Sequence, residues 1–159
     1  MAEFAAWLHA TAVSQTIQSV GWIVPLVQCI HILMIGIVFV SSLMIALRVL
    51  GRMRADEPFE LVWLRFAPWM WRALLVMAIT GVVLIVGEPG REFGATSFWV
   101  KMVLLVVALL VTLRLGRAPA SAAARPLAVG LIVLWIGVIF LGRAIAYDVE
   151  VWQSLSSHT

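Results

Sequence analysis

WIVPLVQCIHILMIGIVFVSSLMIAL, residues 22–47, decides the fold: 26 residues pass without one Asp, Glu, Lys or Arg. About 20 apolar residues in a helix rising 1.5 Å each are enough to cross the hydrocarbon of a bilayer. Three further apolar stretches follow, at 66–87, 98–113 and 127–146. Inside lipid each backbone N–H and C=O needs a partner within the protein, and a helix supplies one from its own segment. The expected architecture is therefore an all-α integral membrane four-helix bundle, a single domain over residues 1–159.

Composition agrees. Hydrophobic residues make up 64% of the chain and charged residues only 12%, where a soluble domain carries about 25% charged. Mean hydropathy is +1.08 and the isoelectric point is near 10. The basic residues concentrate in short connections, Arg48, Arg52 and Arg54 in the first and Arg114, Arg117 and Arg125 in the third. Such clusters set membrane topology and do not signal nucleic acid. By the positive-inside rule the loops at 48–60 and 114–126 face the cytoplasm, and both termini face outward, periplasmic in a bacterial inner membrane. One cysteine, Cys29, excludes an internal disulfide and a zinc-type cysteine framework.

Residues 3–19 read as a short amphipathic interfacial helix, with Phe4, Trp7, Leu8 and Ile17 apolar and His9, Ser14, Gln15, Gln18 and Ser19 polar. Met1–Val20 holds no Lys or Arg, so it lacks the basic start of a signal peptide and is expected to stay on the mature protein. Gly87-Glu88-Pro89-Gly90 stops the second span as a turn. Trp22, Trp63, Trp69, Trp71, Trp99, Tyr147 and Trp152 cluster near span ends, as interfacial aromatics do, while Trp135 lies deeper.

Polar groups inside spans are costly and carry most of the functional information. His31, Lys101 and Arg143 all fall in the outward half of their spans, and Glu88 caps the outer end of the second. Gln28, three residues before His31, shares its helix face and can bond its ring. Arg72 belongs to the cytoplasmic third, where Glu60 or a lipid phosphate can partner it. An imidazole within a bundle is a common axial ligand of haem. The expected site is a b-type haem on His31, supported by Gln28, with Lys101 and Arg143 near the propionates and Met77 among the candidate second ligands, alongside Met102 and His9. Gly36, Gly81 and Gly130 offer close backbone approach for a flat macrocycle. Cys29, His31 and Met34 form a soft-ligand string, but Cys29 and His31 point about 200° apart on a helix and cannot share one copper ion. No paired carboxylates, nucleophile–base pair or phosphate loop marks an enzyme.

Trp22-x-x-Pro25-x-x-Gln28-x-x-His31-Ile32-Leu33, then Leu47-Arg48-Val49-Leu50-Gly51, then Thr80-Gly81-Val82-Val83-Leu84 before Glu88-Pro89, then Ser97-Phe98-x-x-Lys101, resemble an uncharacterised bacterial family of small four-span inner-membrane proteins, a domain of unknown function. The family is loosely similar to cytochrome b-type and copper-resistance-type membrane domains. The resemblance implies that His31 and Lys101 are the characteristic polar positions. In relatives the third span ends with a further His, where this chain has Thr112-Leu113-Arg114. The reading of the whole is a small redox or accessory subunit that exchanges electrons with a quinone or a larger complex. A cofactor-free structural subunit of a membrane assembly or homo-oligomer is the alternative, and a metal or small-molecule permease the third.

Overall fold

A computed structural model describes the backbone of residues 2–156 and the side chains of residues 3–144. Seven helices follow one another: α1 Ala2–His9, α2 Ala12–Ser19, α3 Ile23–Val49, α4 Phe59–Gly87, α5 Pro89–Gly94, α6 Thr96–Arg117 and α7 Ala124–Ser156. Four of them, α3, α4, α6 and the Ala124–Ala144 part of α7, are long and apolar enough to cross a membrane. They form the four-helix membrane bundle. α3 packs against α4 and α7, and α6 against α7.

Each boundary has a local cause. Pro25 sits in the first turn of α3, where its missing N–H would have no helical partner. The helix ends in a Schellman cap: Gly51 takes φ +68°, its N–H bonds the Arg48 carbonyl at 3.1 Å, and the Arg52 N–H bonds the Leu47 carbonyl at 3.0 Å. Glycine meets that left-handed backbone at little cost. The connection to α4 folds around Glu57. Its backbone carbonyl accepts from Arg48 Nε at 2.6 Å, and its carboxylate pairs with Arg54 at 2.7 Å and Arg65 at 3.4 Å.

α4 begins at Phe59, seven residues before the apolar stretch that announced it. Hydropathy marks the lipid-crossing part of a helix, and the polar first turns around Glu60 and Arg65 lie outside that signal. Its buried residues Val62, Met70, Ala73, Met77, Thr80 and Gly87 recur at helical spacing and include several small side chains. Small residues let backbones approach closely, which is how membrane helices gain packing without a hydrophobic driving force. α3 answers with Val38, Ser41, Ser42, Ile45 and Ala46, and Ser42 Oγ donates to Met70 Sδ at 3.4 Å. The centre of the bundle is Trp135, fully buried among Val38, Met70, Ala73, Ala108, Leu131 and Val138. At the basic end Trp63 wedges against α6: a Cβ at Gly116 would stand 2.4 Å from its ring.

The Gly87–Gly90 segment is more than a turn. Pro89 ends α4 and opens α5 at its first position. The expected single N-terminal helix is instead two, broken at Ala10-Thr11 where the Thr11 hydroxyl accepts from the Ser14 N–H at 3.3 Å and caps α2. α1 rests on α5 and α2 on α4 and α3, so the pair covers the end of the bundle. Ser14 is buried and bonded by Gln18 Nε2 at 3.0 Å, while Phe4 and Trp7 stack outward on each other. An outward aromatic pair is the arrangement suited to a lipid interface.

Candidate functional site

The covered end of the bundle, the mouth, collects ionisable groups from four helices. His31 lies eight residues into α3, about 12 Å along its axis. Its imidazole crosses to α4, with Nδ1 2.8 Å from Thr80 Oγ1. Gly81 leaves room for this: a Cβ there would sit 3.5 Å from His31 Cε1. Gly36 and Gly130, expected to give similar close approach, face open space within 4 Å and do not take part.

The proton assignment follows from counting donors. Thr80 Oγ1 lies 2.9 Å from the Val76 carbonyl and 3.1 Å from the Met77 carbonyl. Carbonyls only accept, so the single hydroxyl proton is committed to the helix behind it. With the hydroxyl proton on those carbonyls, Thr80 accepts from His31, and the ring proton then sits on Nδ1 with the lone pair on Nε2; a hydroxyl turned to donate to Nδ1 gives the other tautomer.

Around this pair stand the charges. Lys101, half-buried on α6, is close enough to act electrostatically on His31, and Glu92 of α5 on Lys101. Glu92 is buried, and Arg91 bridges it to Glu88, 3.6 Å from Glu92 Oε1 and 2.6 Å from Glu88 Oε2. The site therefore runs His31, Lys101, Glu92, Arg91 and Glu88 from the bundle interior towards the mouth.

The structure brings together part of the expected set. His31, Met77 and Lys101 converge. Met77 is buried on the same face of α4 as Thr80. Gln28 does not bond the ring; it is half-buried on α3, and the imidazole turns across to Thr80 instead. Arg143 is exposed on α7 at this same end. Arg72 does not pair with Glu60, which twelve residues of helix hold about 18 Å away along the axis; its guanidinium lies over the Trp69 ring, 5.8 Å from the centroid. Cys29 is exposed, on a different side of α3 from the site. Among the described residues no three of His, Cys, Asp and Glu gather as metal ligands.

Thr80 and Glu92 were missed by reading the sequence. Thr80-Gly81, a small hydroxyl beside a glycine at the depth of His31, was the available signal for the first. Glu92 had none, because a carboxylate in a short connection ordinarily faces water. No family model, curated protein or solved structure matches the chain, so the resemblance to small four-span membrane proteins stands on its quoted motifs alone.

Proposed function

We propose that this chain is a small redox-accessory subunit of a bacterial inner membrane, with both termini periplasmic, in which His31 offers an axial nitrogen to a b-type haem. One observation carries the reading: His31 Nδ1 lies 2.8 Å from the Thr80 hydroxyl, which fixes the ring and makes Nε2 the nitrogen that would meet a metal. A metal-binding histidine nearly always donates its other ring N–H to a fixed acceptor, which sets its tautomer and orientation. Lys101, and Arg143 further out on α7, supply cations at the depth where propionates need neutralising.

Met77 is buried on the helix that bonds the ring, and any further ligand to the haem would come from a neighbouring subunit. A haem so bound would supply one-electron chemistry, and the chain's own residues would orient the ligand and balance its charge. A quinone or a larger complex is the proposed electron partner.

A cofactor-free accessory subunit is the second reading. The His31–Thr80 bond joins residues 49 apart and ties α3 to α4, which is what a purely structural clamp would do. Absorbance separates the two. Protein purified from haem-replete cells should show a Soret band that His31→Ala abolishes and Thr80→Val shifts or weakens. Clean, folded protein with no visible absorbance would remove the haem reading and leave the clamp, which predicts co-purification with a larger membrane partner.

A further inference from the structure

We propose that Arg65 and Arg72, with the Trp69 ring between them, form a binding site on the exposed flank of α4 for the phosphate of an anionic phospholipid. The argument starts from the position of Arg72. It lies thirteen residues into a membrane-crossing helix, about 20 Å from its start. It is exposed, and among the described residues no carboxylate pairs with it; its one recorded contact is the Trp69 ring. A guanidinium facing hydrocarbon without a counter-ion is among the costliest arrangements a membrane protein can hold.

Helix geometry says where relief comes from. Side chains lean towards the helix N-terminus, which for Arg72 is the basic end of the bundle. Seven residues in that direction, about 10 Å along the axis and on the same face, is Arg65. Arg65 is exposed and makes only a long ion pair at 3.4 Å with Glu57, whose other oxygen is already held by Arg54 at 2.7 Å. Most of its five donors remain available. Trp69, 59% exposed, fills the step between the two arginines. The Trp69 ring, 5.8 Å from the Arg72 guanidinium carbon, is a cation–π partner that takes up none of its N–H donors, and those fit a phosphate in a forked pair. The indole adds an apolar surface for the glycerol and upper acyl region.

Two cations and one aromatic at the level where a span leaves the hydrocarbon match a lipid phosphate in position as well as charge. Anionic headgroups fit better than zwitterionic ones, whose ammonium cancels part of the attraction. The site lies at the opposite end of the bundle from His31 and is independent of the haem reading.

The test uses full-length protein in nanodiscs of phosphatidylcholine with graded phosphatidylglycerol, read by native mass spectrometry of retained lipid. Wild type should retain phosphatidylglycerol preferentially, with about tenfold weaker retention for each of Arg65→Gln and Arg72→Gln. Arg72→Lys keeps the charge and loses the fork, so it should bind several-fold more weakly. It also gives a readable variant if Arg72→Gln does not fold. Equal retention in wild type and variants, or no preference over phosphatidylcholine, overturns the site. So does a co-purifying protein that Arg72→Gln releases while retained phosphatidylglycerol is unchanged, because Arg72 would then be answering a partner's carboxylate.

Discussion

The two ends of the bundle solve the same problem, charge beside lipid, in opposite ways. At the basic end the partners are neighbours in the chain. Arg54 pairs with Glu57 three residues on, Arg48 caps the Glu57 carbonyl nine residues on, and Arg65 reaches back eight. All are at least partly exposed. At the mouth Arg91 pairs locally with Glu88 and Glu92, but the other partners come from separate helices: His31 from α3, Thr80 from α4, Glu92 from α5 and Lys101 from α6, with Glu92 buried. Local pairs hold a loop in place and set topology. Pairs assembled across the fold create a polar interior that the loop end lacks, and chemistry needs that interior.

The largest effect should come where the basic end depends on packing and not on charge. Gly116→Ala puts a Cβ 2.4 Å from the Trp63 indole, far inside contact distance. We expect a loss of about 1–3 kcal/mol, measured by denaturant unfolding in detergent and recovered by pairing it with Trp63→Leu. An unchanged midpoint would mean that the two helices part more easily than their contact implies. At the mouth, Thr80→Val keeps the shape and removes the acceptor of His31 Nδ1–H. Leaving that group unsatisfied should cost about 1–3 kcal/mol, and histidine NMR should show the loss of a single fixed tautomer. A stability and a tautomer both like wild type would mean that another group holds the ring. The smallest effect belongs to Glu57→Ala, which removes two partly exposed ion pairs and keeps the carbonyl that Arg48 uses. About 1 kcal/mol or less is expected, shrinking with added salt. A larger loss would show that this end is assembled as tightly as the mouth and would erase the contrast.

Sequence reading reached the fold because lipid leaves so few options. A run such as residues 22–47 without a charge has to be a helix, and four such runs make a bundle. The parts it missed are those that hydropathy does not encode. The first turns of α4 carry Glu60, Arg65 and Pro68, so the helix started seven residues before its apolar stretch. α5 is six residues long and depends on Pro89 at its first position. The site was half legible. His31 and Lys101 stood out because charge and imidazole are rare in spans. Gln28 was chosen because it shares a helix face with His31, and the ring instead bonded a residue 49 positions away. Local spacing predicts what a helix can do alone, and says nothing about which neighbour arrives.

Trp135 carries a consequence of its own. Its indole is fully enclosed, and its N–H has no acceptor in the bundle centre. Trp7, Trp22, Trp69, Trp71 and Trp99 all reach the surface. An indole with neither water nor a hydrogen-bond acceptor emits at the blue edge of the tryptophan range, and brominated acyl chains cannot approach it. Short-wavelength light that brominated acyl chains do not quench would therefore carry the signal of Trp135 at the centre of the bundle, an optical gauge of whether the four helices are closed that needs no label.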